Sequence, residues 1–387
     1  FTPIKIENYA VKKWNIFSGL PSDSITTIFQ DSRKYIWIGT FDGLICYNGK
    51  EFRTFDATNT PGFDAHSAHV ILETDNSALW IGTENEGLAY YHHGIFKTYS
   101  IDHGLPSDAI KSLAMGLDGK LWIGTNQGLV FYTNGKFEYP RYKGRNPFAS
   151  RQVNHLMWHP TWGLIAACSD GGLYFHADTD PAGVTEAVGE RISAAHAGLE
   201  GEIWLGTRSG KVFLINHTGI QEKSSLYIAG NQIRTIYYGG LSKAIWIAGN
   251  QGLYKIEEGG SGPTRFLSKG HSVLRYLPKT VLEDHEGNLW IGTRSGGVFA
   301  LIPSVFTSYN HDDGLTDLTV NSAAEGYGET FWIAADNGLY CLQNGMFTEN
   351  KLTQLLKGVR VKHVNSRNGY VYVSTISPMG VVIYNER

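Results

Sequence analysis

Four arginines stand where loop geometry has no use for one. Arg151 and Arg234 lie at the start of alternating apolar segments. Arg208 and Arg294 follow Gly-Thr in loops that elsewhere in the chain read Asn-Gln-Gly or Ser-Asp-Gly. A planar guanidinium donates in pairs to carboxylate, sulfate or phosphate oxygens, so four of them on one arc would recognise an acidic ligand. The simpler reading of each is an exposed charge, or a partner for a carboxylate such as Asp170. Trp158 and Trp162 fall outside the position at which the chain otherwise repeats Trp. They read as recognition aromatics or, preferably, as local packing under the turn at Pro160. His66, in a loop leading into an apolar segment, completes the candidate ligand contacts.

Other chemistry is sparse. The sequence has no His-Glu-x-x-His, calcium loop, Cys-x-x-Cys, Gly-x-Ser-x-Gly or phosphate loop, so neither a metal nor a cofactor is expected and no catalytic residue is assigned. An enzyme would have to gather its groups across distant segments. Cys46 and Cys341 occupy equivalent apolar positions, and with Cys168 they are expected as reduced thiols. With 33 basic against 36 acidic residues and no run of like charge, a nucleic-acid partner is not expected. Phe1-Thr2-Pro3-Ile4 is no signal peptide, and no stretch is long and apolar enough to span a membrane.

The elements that position these residues come from a repeat. Leu-Trp-Ile-Gly-Thr, a short loop, then Gly-Leu and an aromatic strand return along the whole chain. The second residues are Trp37, Trp80, Trp122, Ile165, Trp204, Trp246, Trp290, Trp332 and Tyr372, spaced 39 to 44 apart. Each unit reads as four short strands joined by tight turns, with Gly (46 residues) and aromatics (13 %) to match. In Leu-Trp-Ile-Gly both strand faces are apolar, as in a sheet covered on both sides. Strands at this spacing and period describe an all-β propeller of four-stranded blades. The repeated Asp118-Gly119-Lys120-Leu121-Trp122 and Glu286-Gly287-Asn288-Leu289-Trp290 look slightly like the Asp box of sialidases, but hairpin geometry accounts for them.

Nine units run from about residue 24 to 387, preceded by an orphan outer strand at 13–17. The last unit stops after its third strand, Val381 to Tyr384. The expectation is therefore one domain, 1–387, forming a single ring of nine blades closed by Lys13 to Phe17 beside that strand. Seven or eight blades are the alternatives.

Gly-Leu-Pro-Ser-Asp, an alternating strand, Asp-x-x-x-x-Trp-Ile-Gly-Thr and x-x-Gly-Leu, clearest at Gly19 to Gly49 and Gly104 to Gly135, resemble the two component regulator propeller repeat. The resemblance implies a non-catalytic, extracytoplasmic ligand-sensing domain of a bacterial membrane signalling protein, on the periplasmic or extracellular side of the inner membrane. It implies a small-molecule or oligosaccharide ligand at the channel mouth, an output signalling domain in the full-length protein and no membrane contact by this domain itself, and it admits a homodimer. A protein-interaction platform and a propeller lyase or hydrolase are the competing readings.

Overall fold

The computed structural model describes residues 9–141, 145–160, 162–176, 190–198, 201–223, 227–228, 232–257, 262–267, 272–303, 309, 311–328 and 330–386. Among them the repeat motif is each time the second strand of an antiparallel sheet, as in Ile36–Thr40, Leu79–Gly82, Leu121–Thr125 and Leu289–Thr293. Every residue of these four strands is buried, because each sheet is covered on both faces.

Each residue type of the motif has its own reason. The Trp rings fill the space between sheets, and two of their indole N–H groups are satisfied by an Asp of the preceding hairpin. Trp37 Nε1 donates to Asp31 Oδ2 at 3.0 Å and Trp290 Nε1 to Asp284 Oδ2 at 2.7 Å. The same carboxylates accept backbone N–H bonds from Tyr35, and from Glu286 and Asn288. The glycine is a point of close approach. A Cβ on Gly82 would meet Ile110 Cγ2 of the next sheet at 2.5 Å, and one on Gly292 would meet Ile25 Cγ2 at 2.6 Å. The hydroxyls of Thr40, Thr83, Thr125 and Thr293 donate to the carbonyls of Gly43, Gly87, Gly128 and Gly297 at 2.8–2.9 Å, pinning the following loop.

Two compact units divide the chain, 1–304 and 305–387. In the first, the inner strands of seven sheets are Ile25–Gln30, Val70–Glu73, Ile110–Met115, Val153–His159, Ile192–Ala197, Ile233–Gly239 and Pro278–Glu283. Each packs on the next, and the seventh packs on the first. Ile25, Ile38, Leu282 and Trp290 share one core across that last seam. The second unit holds two sheets, with inner strands Val320–Glu325 and Val361–Arg367 in contact.

The expected ring of nine blades, closed beside Val381 to Tyr384, is corrected by the strand pairing. The N-terminal strand is Tyr9–Trp14, and it pairs antiparallel with Val298–Pro303 as the outer strand of sheet seven, Tyr9 opposite Pro303 and Trp14 opposite Val298. Val381–Asn385 remains the edge of a three-stranded sheet. The physical reason is a better aromatic seat. Trp14 stacks on Trp290 at 5.3 Å and 8° and also meets Tyr47 and Phe52 of sheet one, whereas Val381 and Ile383 are 67 % and 61 % exposed. Residues 305–317 repeat the outer-strand pattern of residues 11–23, so the sequence offers two segments for the edge of sheet seven. Counting units from the C-terminus conceals that choice.

A candidate ligand site at the channel mouth

Register explains how the first unit's inner strands build a site. In sheet one Ile25 pairs with Thr40 and Thr27 with Gly39, leaving Thr26 as an extra residue. The same irregularity skips Lys111, Asn154, Ser193, Arg234 and Lys279 in sheets three to seven. In sheet two His69 takes this place, its N–H donating to Gly82 O at 2.7 Å just ahead of the Val70–Gly82 pair. A bulge bends the strand and re-aims one side chain. All seven of these residues line a single cavity of about 370 Å³, joined by His155, Arg191, Arg208 and Gln232.

The cavity is cationic. Lys111, Arg191, Arg208, Arg234 and Lys279 line it, and no Asp or Glu does among the described residues. Glu84 lies beside it, with Lys111 Nζ 2.9 Å from Oε1 and His69 Nδ1 3.2 Å from Oε2. The His69 contact lacks hydrogen-bond geometry, so this buried nitrogen has no hydrogen-bond partner. Arg234 Nε donates to Asn250 Oδ1 at 2.7 Å, and Lys279 Nζ sits 4.9 Å above the Phe41 ring. No ion pair joins Arg191, Arg208, Arg234, Lys279 or Arg294 to a carboxylate among the described residues.

Crowding of like charge and loss of water act on the same groups. Burial lowers the Lys279 ammonium pKa; Glu84 opposes this, while Arg234, Arg294 and Lys111 add to it. Burial and then Arg294 lower that of the Arg234 guanidinium. Burial carries His69 down to about 4, against the pull of Glu84 and with the push of Lys111 and Lys279. Burial, then His69, does the same to His155, also to about 4. Both imidazoles are therefore neutral near pH 7 and offer one donor and one acceptor each.

The residues singled out from sequence are distributed unevenly. Arg208 and Arg234 line the cavity, and Arg294 stands close enough to disturb Arg234 and Lys279. Arg151 and Asp170 are ion-paired with each other. Trp158 packs into the core between sheets three and four, and Trp162 into the next one, where its backbone N–H donates to His159 Nδ1 at 3.1 Å. His66 is exposed and does not line the cavity. Asp23 and Asp108 accept backbone N–H bonds from Ile16 and Ile101 at 2.8 Å, fastening the turn after the outer strand. Lys111 and His155 are among the lining residues that no loop pattern in the sequence singles out. The signal for Lys111 was present, since it stands eleven residues before Trp122, as His69 does before Trp80 and Lys279 before Trp290. His155 lies one residue past the bulge and carries no such mark. Cys46, Cys168 and Cys341 are free thiols, the first two pushed up by burial to about 11 and about 12.

Comparisons with known proteins agree with this architecture. A family model described as two component regulator propeller matches residues 19–42 and 276–295, which belong to sheets one and seven and the loops leading into them. Histidine kinase P4 of Formosa agariphila is 24 % identical over 324 residues, 76 % of this chain and 23 % of the kinase. The extracellular domain of a hybrid two component system from B. thetaiotaomicron superposes with a TM-score of 0.79 at 20 % identity, covering 97 % of this chain and 53 % of that one. Virginiamycin B lyase from Staphylococcus aureus superposes at 0.62 with 14 % identity over 76 % of this chain and 99 % of the lyase. The chain thus spans about a quarter of the curated kinase and about half of the sensor domain. No helix among the described residues is long and apolar enough to cross a membrane.

Proposed function

We propose that this chain, built on the two component regulator propeller repeat, is the ligand-sensing part of a bacterial membrane signalling protein, and that the ligand seats in the mouth of the seven-sheet unit. The observation that carries the reading is the convergence on one cavity of the six inner-strand bulge residues and of His69, which takes the same place in sheet two. A scaffold needing only to fold has no reason to aim Lys111, Arg234 and Lys279 at a common centre. The likeness to an extracellular sensor domain supports a location outside the cytoplasm, and the match to a histidine kinase supports an output domain in the full-length protein. The test is thermal denaturation of the chain across a panel of saccharides and small acids. A ligand that raises the melting temperature in wild type and fails to do so in Lys111→Ala and Arg234→Ala supports the site. A ligand whose effect survives both substitutions places binding elsewhere.

One observation favours a second reading, that of a lyase. His69 and His155 are neutral beside Lys111 and Lys279, as a general base beside cations would be. Release of unsaturated products from any bound saccharide would establish it. Unchanged ligand after prolonged incubation would exclude it.

A further inference from the structure

We propose that the mouth takes a saccharide bearing carboxylate or sulfate groups, with those groups held on the arc formed by sheets five to seven. This rests on the reading of the mouth as the sensing site. The cavity is electrostatically lopsided. On the side of sheets two and three the cation Lys111 is answered by Glu84 at 2.9 Å. On the side of sheets five to seven, Arg191, Arg208, Arg234, Arg294 and Lys279 form no ion pair with a carboxylate among the described residues, and Glu84 acts on Lys279 only from a distance. The chain as a whole carries a formal charge of −3, so this excess is local and not a consequence of composition. The second unit supplies a contrast, for its Arg360 is met by Asp336 at 2.8 Å. Cations gathered without counter-charge repel one another, and an acidic partner removes that repulsion.

The remaining wall argues for a saccharide over a bare anion. Asn154, Gln232, His155 and the unpartnered Nδ1 of His69 present neutral donors and acceptors suited to hydroxyl groups. A free sulfate would use the cationic arc alone. The volume, about 370 Å³, is at the small end of ordinary small-ligand sites.

Isothermal calorimetry of the full chain tests this with uronate-containing and sulfated oligosaccharides, neutral oligosaccharides of the same length, and inorganic sulfate. Arg208 and Arg294 are exposed, so Arg208→Ala and Arg294→Ala are expected to keep the wild-type circular dichroism and melting curve. The acidic oligosaccharides should bind, each substitution should weaken them at least about tenfold, and added salt should weaken them further. Equal affinity in wild type and both variants overturns the proposal. So does inorganic sulfate binding as tightly as the oligosaccharide. A neutral saccharide binding more tightly, with loss in Asn154→Ala, overturns the acidic ligand and leaves the sensing mouth standing. Failure of every saccharide to bind removes both.

Discussion

Two kinds of residue carry the repeat, those that tie a sheet and those that line the cavity. Asp284 ties: one carboxylate accepts the Trp290 indole and two backbone N–H groups. Asp284→Ala strands these donors and is expected to cost about 2–3 kcal/mol, read by urea denaturation. Gly292→Ala should also destabilise, by about 1–3 kcal/mol, because its Cβ meets Ile25 at 2.6 Å. Gly240→Ala, with open space around it, should be neutral. His69 and His155 instead line the cavity, and their depressed pKa values predict a pH effect. Each folded value is about 4 against an ordinary 6.5, so the unfolded chain binds more protons between those limits. Stability from this source is complete above pH 6.5 and is lost as pH falls towards 4. Melting temperature followed across that window should decline less steeply in His155→Asn than in wild type. The charged groups acting on His69 are Glu84, Lys111 and Lys279, and the one acting on His155 is His69. An acidic ligand seated beside them would raise both imidazole pKa values, so binding should take up protons near pH 5.

At the level of strands and sheets, the unit of sheet was legible and the partner of the first strand was not. Trp, Gly and Thr recur because each solves a local problem, and local problems show in a linear pattern. The pairing of Tyr9–Trp14 with Val298–Pro303 is instead a competition between two similar segments for one edge, decided by the ring that Trp14 finds in Trp290. The site divides the same way. Arg208 stands out because its loop needs no Arg, and Arg234 because it opens an apolar strand. Lys111 shows only once its eleven-residue distance from Trp122 is set beside those of His69 and Lys279, and His155, one residue past a bulge that depends on register, has no such mark. Arg151 looked like its neighbours in sequence and is held by Asp170 in space. The edge assignment predicts that Trp14→Ala loosens sheet seven, costing about 2–4 kcal/mol as a half-buried large aromatic. Amide exchange should accelerate in Val298–Pro303 and remain unchanged in Val381–Asn385. The opposite result would return the strand to the ninth sheet.

For the whole molecule, the division at residue 304 separates what a ligand should stabilise from what it should not. Every residue of the mouth belongs to the first unit. Ligand at about a hundred times its dissociation constant should add about 2.7 kcal/mol to that unit. Amide exchange resolved by segment would show slower exchange in the seven inner strands, with Val320–Glu325 and Val361–Arg367 unaffected. Protection spread equally over both units would contradict a site confined to the mouth.

The seam between Trp14 and Val298 also has a meaning in time. A ribosome makes the outer strand of sheet seven before sheet one and the rest of that sheet after sheet six. Six sheets can form and stack while Tyr9–Trp14 waits without its partner, and contacts so far apart in sequence are the slow ones to form. The ring therefore cannot latch gradually. It stays open, with the apolar flank of sheet one uncovered, until Val298–Pro303 emerges, and a nascent chain halted before that point is an aggregation hazard however well its finished sheets are packed.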